Sequence, residues 1–128
     1  MSIIIGYWNH TRKDIISNLR SLDALKDLKG HGNIDVQLFK TPITNEIQRR
    51  IPYSRVDHAK FLMNEKIGFI GTSNWSADYF INTGGVSLVQ NDYEKDPRSI
   101  RGQLEQIFDR DWHSDYCVPI RDFVYRKF

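Results

Sequence analysis

The first 40 residues change hydrophobic period twice, and this change constrains the fold more than any other feature of the chain. Residues 2–8 (SIIIGYW) are a β-branched and aromatic run typical of a buried strand. The next apolar residues recur at helical spacing on one face, and they are Ile15, Ile16, Leu19, Leu22, Leu25 and Leu28. Residues 34–39 (IDVQLF) then alternate apolar and polar, as a half-buried strand does. We therefore expect a strand–helix–strand unit with parallel strands and a right-handed crossover.

The remainder of the chain continues this α/β pattern. Residues 41–54 have weak periodicity and predict an irregular connection with room for one helical turn. Segments 60–64 (KFLMN) and 66–71 (KIGFIG) predict neighbouring strands, and 85–90 (GVSLVQ) predicts another. A helix is expected to open near Pro97 and to bury Ile100, Leu104, Ile107, Phe108 and Trp112. We expect one α/β domain over residues 1–128, in which residues 117–128 form a tail without an assigned structure.

Composition and charge narrow the possible functions. A chain of 128 residues with 40% hydrophobic residues can bury a core. Its net charge of +2 argues against a protein that grips nucleic acid by overall charge. An anion site must then be local, and basic residues do gather at Arg49, Arg50, Arg55, Lys60 and Lys66. The single cysteine, Cys117, forms no disulfide within the chain, and no Cys/His cluster has the spacing of metal ligands.

One short segment combines residue types suited to phosphate chemistry. His58 and Lys60 are separated by one residue, so on a strand both side chains point to the same face. An imidazole can serve as nucleophile or as acid and base, and a lysine suits a phosphate oxygen. The turn Gly71-Thr72-Ser73-Asn74 offers close backbone approach and neutral hydrogen bonds. Each piece alone also fits an ordinary surface, but the ordered set suits a phosphodiester.

The full pattern, His58-x-Lys60-x4-Glu65-x5-Gly71-Thr72-Ser73-Asn74, resembles the HKD signature of the phospholipase D superfamily. Glu65 stands where most members have aspartate, and the spacer before Gly71 is one residue shorter than usual. Both departures resemble the second motif, in the C-terminal half, of the family's endolysosomal 5′-exonucleases and their poxvirus relatives. The segments SIIIGYWNH, RIPYSRVDHAKF, IGTSNWSADYF and QLEQIFDRDW carry the same resemblance, which covers about residues 3–116. It implies a single phospholipase D half-domain, in which a mixed β-sheet is flanked by helices.

The resemblance also implies a mechanism that needs no metal or other cofactor. In the family, two HKD motifs meet: one histidine forms a phosphohistidine, and the other protonates the leaving oxygen and then activates water. By this resemblance His58 is catalytic, and Lys60 and Asn74 bind the phosphate. Ser73 is a weaker phosphate ligand, and Glu65 is structural or supports the site indirectly. Thr83 stands where first motifs of the family place a glutamate that orients the histidine.

Other histidines and aromatic residues receive plainer interpretations. We expect His10, His31 and His113 at the surface, although His10 can also line the substrate path. Trp75, Tyr79 and Phe80 can stack bases, but we expect them in the core because they follow a turn beneath the site.

A chain with one HKD motif has three possible fates. It can form a symmetric homodimer that completes the site, it can be an inactive fragment, or it can be a phosphate-binding module without catalysis. The resemblance points to single-stranded DNA or RNA as substrate, and phospholipid is the alternative. We expect the cytoplasm by default for this chain, and the endolysosomal lumen if it is part of a longer anchored protein.

Overall fold

The computed structural model describes residues 1–8, 10–28, 30 and 32–124, and it confirms the α/β class. His31, expected at the surface, lies outside the described residues, as do the last four residues of the predicted tail. The elements follow in this order: β1 (Ser2–Gly6), α1 (Lys13–Ala24), a 3-10 turn (Leu25–Asp27), β2 (Asp35–Phe39), α2 (Glu46–Arg50), β3 (Phe61–Met63), β4 (Ile67–Gly71), α3 (Ala77–Asn82), β5 (Ser87–Asn91), α4 (Ile100–Trp112) and β6 (Cys117–Pro119).

The strands form two three-stranded sheets, in two compact units of the chain. The first unit comprises Met1–His58 with Asp111–Phe128, and the second comprises Ala59–Arg110. The sheet of the first unit has the order β1-β2-β6 and is mixed, whereas the sheet of the second, β3-β4-β5, is antiparallel.

In the first unit, β1 and β2 are parallel neighbours, as the sequence predicts. The core consists of Tyr7, Ile16, Val36, Leu38 and Ile120, with Leu19 and Leu22 of α1 packed against it. The predicted apolar stripe of α1 is narrower than expected, since Ile15 is 41% exposed and Leu28 is 53% exposed. Ile15 is adjacent to Ile16, so only one of the two can face the sheet. Leu28 follows the 3-10 turn, where the helical period changes.

Residues 117–124, for which the sequence assigns no structure, belong to the first unit. β6 pairs antiparallel with β2, and Ile120 is completely buried. The Phe123 ring lies edge-on to the Tyr7 ring, with 4.8 Å between centroids. A strand of three residues has too little alternation to be read from sequence, and its partner lies about 80 positions earlier in the chain.

A buried carboxylate, Asp23, joins three segments of the first unit. It accepts hydrogen bonds from the Val36 N–H of β2 at 3.1 Å, from Arg121 at 2.9 Å and from Lys26 at 3.3 Å. Burial raises the pKa of Asp23, but these hydrogen bonds outweigh burial and leave the pKa below its ordinary value. The ionised carboxylate therefore holds α1, β2 and the segment after β6 together.

In the second unit, β3 and β4 form the predicted hairpin. The Asn64 side chain accepts hydrogen bonds from the backbone N–H groups of Lys66 and Ile67, both at 2.8 Å, and so fixes the turn. α4 begins where the sequence predicts, and Ser99 caps it by accepting from the Gly102 N–H at 3.0 Å. Arg101 of α4 lies against Gly68 of β4 and is buried.

The expectation that Trp75 and Phe80 are core residues is wrong, because these side chains are 68% and 77% exposed. Trp75 precedes α3, and Phe80 lies within it. The sequence does not predict this short helix. Among the described apolar residues of this unit, Leu104 is the only fully buried one. The unit by itself offers the aromatic rings no interior to enter.

None of the helices in the described ranges is long and apolar enough to cross a bilayer.

Candidate active-site residues

His58 ends the first unit, in an extended segment after α2. Its side chain is exposed, and its ring lies 6.0 Å from the Trp8 ring, centroid to centroid, at a tilt of 43°. Trp8 follows the end of β1, so the carboxyl end of this strand supports the histidine.

The backbone just before His58 is held against β1 by the absence of a side chain at Gly6. A Cβ atom at Gly6 would lie only 2.8 Å from the Asp57 carbonyl oxygen, closer than real Cβ contacts occur. The end of β1 and the segment that carries His58 are therefore in direct backbone contact. Sequence reasoning did not single out this glycine, because nothing local marks it.

Lys60 begins the second unit's hairpin beside the predicted turn. The Lys60 carbonyl accepts a hydrogen bond from the Gly71 N–H at 2.8 Å. β3 starts only at Phe61, so His58 and Lys60 both precede the strand on which they were expected. The backbone of Lys60 nevertheless lies next to the first residue of the Gly71–Asn74 turn.

The Gly71–Asn74 turn is fixed by a loop that follows α3. The Thr72 backbone N–H and hydroxyl both donate to the Val86 carbonyl, at 3.1 and 3.3 Å, and the same hydroxyl oxygen accepts from the Val86 N–H at 3.1 Å. A Cβ atom at Gly85 would collide with the Ser73 hydroxyl oxygen. Thr72 and Gly85 are thus the residues that shape the turn, and the Gly-Gly pair after Thr83 was the signal for this contact.

Ser73 and Asn74 offer polar groups that the fold itself does not use. Both residues are half-buried, and within the described ranges their side chains make no hydrogen bond. Thr83 lies at the end of α3, exposed, and it too has no side-chain hydrogen bond to the described part of the chain. These three residues can therefore donate to a ligand without breaking an existing bond.

Glu65 lies at the opposite end of the hairpin from Lys60 and Gly71. It occupies the turn between β3 and β4, and a strand rises roughly 3.3 Å per residue, so its backbone is roughly 13 Å or more from Lys60 along the strand. Its charge acts instead on Arg101, whose pKa is raised mainly by the Glu105 hydrogen bond and to a smaller extent by Glu65. This position suits a structural role near α4.

Two further kinds of site have little support. Burial, with the charge of Asp111 nearby, raises the pKa of the Cys117 thiol to about 11, so the thiolate nucleophile is scarce at neutral pH. Within the described ranges, no group of three His, Cys, Asp or Glu side chains is arranged to hold a metal ion.

The chain is similar to proteins named as exonucleases and phospholipases D. No family model matches it. It is 44% identical over 116 residues to "5'-3' exonuclease PLD3" of Xenopus tropicalis, which covers 89% of this chain and 23% of that protein. It is 44% identical over 114 residues to the human protein of the same name, with the same coverage. It is 42% identical over 123 residues to "Phospholipase D Z" of Dictyostelium discoideum, covering 94% of this chain and 26% of that one.

These matches agree with the resemblance carried by the HKD pattern. The chain spans about a quarter of the length of the relatives that it matches. Identity at this level over nine-tenths of the chain leaves no doubt about common descent. The chain therefore belongs to the phospholipase D superfamily.

Proposed function

We propose that this chain supplies one half of a metal-independent phosphodiesterase site that degrades single-stranded DNA or RNA from the 5′ end. The observation that carries the proposal is the Lys60–Gly71 hydrogen bond, because it joins the lysine of the motif to the turn that ends in Asn74. His58 is two residues from Lys60 in the chain. An imidazole, an ammonium group and an amide suit a phosphate, and they contain too few anionic ligands for a divalent cation.

The proposed reaction has two balanced steps. His58 attacks phosphorus and forms a P–N bond, while the P–O bond to the leaving group breaks and a second histidine gives that oxygen a proton. The second histidine then removes a proton from water, which attacks phosphorus and releases His58. Lys60 and Asn74 neutralise the charge on the phosphoryl oxygens in both transition states. Ser73 is a further donor for these oxygens, and Thr83 is a candidate to orient the histidine.

One histidine cannot act on both sides of one phosphorus atom, so we propose that a second copy of the chain supplies the other motif. A two-fold interface is self-complementary, and each His58 can then play either role. Exposed apolar side chains of the second unit support a partner surface. They are Trp75, Phe80, Ile81, Val86 and Val89, each more than half exposed.

A phospholipid is the second candidate substrate, because it presents the same diester to His58. The names of two relatives favour it, "Phospholipase D Z" and the "Probable phospholipase D F09G2.8" of Caenorhabditis elegans. The exonuclease names favour nucleic acid. The basic residues around 49–55 also suit a polyanion, so we propose nucleic acid as the substrate.

The test is cleavage of a 5′-labelled single-stranded oligonucleotide in excess EDTA. We expect the chain to cleave the oligonucleotide. The cleavage rate of His58→Ala should be lower by at least roughly 10³-fold, since the members of a catalytic unit act together. Lys60→Ala and Asn74→Ala should each lose roughly 10²–10³-fold. The matched control is His113→Ala, an exposed histidine just after α4, which should keep the parent rate.

Three results would overturn the proposal: cleavage abolished by EDTA, equal cleavage by His58→Ala, or no cleavage at any concentration. Hydrolysis of phosphatidylcholine vesicles without oligonucleotide cleavage would assign the lipid substrate instead. Phosphate binding without either hydrolysis would leave a binding module or an inactive half.

A further inference from the structure

We propose that the cavity at the carboxyl ends of β1 and β2 is an additional phosphate subsite, which holds a backbone phosphate of a single-stranded nucleic acid. The nature of the ligand rests on the proposed function. The cavity has a volume of about 190 Å³ and is formed by residues 7–8, 10, 40–41, 43 and 48–56 of the first unit. Pockets for whole ligands typically measure roughly 300–1,000 Å³, so this cavity suits one group of a longer chain.

The cavity wall is positively charged. Lys40, Arg49, Arg50 and Arg55 line it, and none of its lining residues is an aspartate or glutamate. The Glu46 carboxylate is 3.8 Å from both Arg49 and Arg50, too long for a hydrogen bond, and all three side chains are largely exposed. Burial, and next the charge of Arg49, lower the pKa of Lys40, so Lys40 lies within range of the Arg49 charge.

Two buried polar atoms in the cavity wall lack a partner. The Trp8 indole Nε1 and the Thr41 hydroxyl Oγ1 are both inaccessible and make no hydrogen bond within the described part of the chain. A buried polar group without a partner is costly, and nearly all such groups in folded proteins are satisfied. An indole N–H can only donate, and a hydroxyl can donate, so both atoms would be satisfied by an anionic oxygen that a small shift of the wall brings within reach.

An exposed aromatic ring lies beside this charge. Tyr53 has a φ of 60°, a conformation that residues other than glycine rarely adopt, and its side chain is 56% exposed. Its ring centroid lies 4.6 Å from that of His10 and 5.9 Å from that of Trp8. A strained residue that presents an open ring next to cations is the arrangement that single-strand binders use to stack a base.

Trp8 connects the cavity to His58. Trp8 lines the cavity, and its ring lies 6.0 Å from the His58 ring. A strand whose phosphate occupies the cavity would therefore run past the histidine. The subsite would position the neighbouring phosphate of the same strand for attack.

The test measures binding without cleavage. In a His58→Ala background, we would follow the anisotropy of a fluorescent single-stranded oligothymidylate from low to high KCl. Arg55→Ala should weaken binding about tenfold and lower the slope of log K against log[KCl] by about 0.7, the value for one phosphate contact on a single strand. Thr41→Val, which keeps the side-chain shape, should weaken binding severalfold and leave the slope unchanged. Inorganic phosphate should compete with the oligonucleotide.

The matched control is Arg98→Ala, which removes an exposed arginine of the second unit that pairs with Asp96. It should leave binding at the parent level. The subsite proposal is overturned if the parent does not bind the oligonucleotide, or if Arg55→Ala and Thr41→Val bind it like the parent. It is also overturned if Arg98→Ala loses as much affinity as these variants. Variant-sensitive binding to vesicles that contain phosphatidic acid, without oligonucleotide binding, would overturn it in favour of a lipid phosphate. Because no cleavage is measured, this result is independent of whether His58 is catalytic.

Discussion

Gly6 and Asp57 approach so closely that the position opposite Asp57 has room for a hydrogen atom but not for a methyl group. This contact holds the backbone immediately before His58 against the end of β1. The residue that positions the histidine is thus a glycine 52 positions earlier in the chain.

Gly6→Ala should therefore reduce activity without touching the catalytic groups. The new methyl group must push the Asp57 backbone away, and a displacement of about 1 Å in a catalytic group costs roughly 10²-fold. We expect kcat for oligonucleotide cleavage to fall roughly 10–10²-fold while the chain stays folded. Gly84→Ala is the matched control, because nothing lies within 4 Å of a Cβ atom there. Equal rates for the parent and Gly6→Ala would show that the contact does not position His58.

For single residues, the sequence predicts candidate site residues better than it predicts tertiary contacts. The spacing of His58, Lys60 and the Gly71–Asn74 turn can be recognised in the sequence because the motif is short and ordered. Gly6 and Thr72 could not be assigned, since their roles depend on atoms brought close by the fold. Trp75 and Phe80 are expected in the core because they follow a turn beneath the site, but the second unit has too small an interior to bury them.

One buried carboxylate, together with the apolar core, joins three segments of the first unit. Asp23 connects α1, β2 and the segment after β6 through its bonds to Lys26, Val36 and Arg121. Its pKa lies below the ordinary value in the folded chain. The stabilisation is therefore complete above the unfolded-state pKa of about 3.9 and is lost as the pH falls through the lower, folded-state value.

Asp23→Asn should destabilise the chain at pH 7 by about 2 kcal/mol, because it removes the charge from a buried, hydrogen-bonded group. This loss of stability is smaller than that for breaking a completely buried ion pair, since Arg121 is half-exposed. Urea unfolding at pH 7 and again below pH 4 measures the gap in unfolding free energy between parent and variant. This gap should close as Asp23 of the parent becomes protonated. Asp14→Asn, at an exposed pair with Arg12, should unfold like the parent. A gap that is independent of pH would contradict a role for the charge.

Elements with a strong local signal were predicted well. The strand–helix–strand start, the β3–β4 hairpin and α4 all have clear periodicity or turn residues, and the structure contains them. α3 and β6 were missed because six and three residues carry too little pattern. Their positions are set by tertiary contacts, such as the pairing of β6 with β2.

In the whole molecule, the two units differ in how many apolar side chains they bury. The first has a core of five buried apolar residues, whereas the described part of the second buries only Leu104 fully and exposes several large apolar side chains. With one HKD motif in the chain, these exposed side chains are the natural surface for the partner that we propose. The superfamily could be predicted from the sequence, but a missing second motif says only that something must supply it.

The measurement that tests this account most directly is the rate of oligonucleotide cleavage per chain as a function of protein concentration, in EDTA, with the oligomeric state followed by sedimentation. We expect the rate per chain to rise in the dilute range, to level off as the dimer saturates, and to vanish in His58→Ala. A rate per chain that stays constant while the protein sediments as a monomer would contradict the shared site. So would a saturated dimer that cleaves nothing.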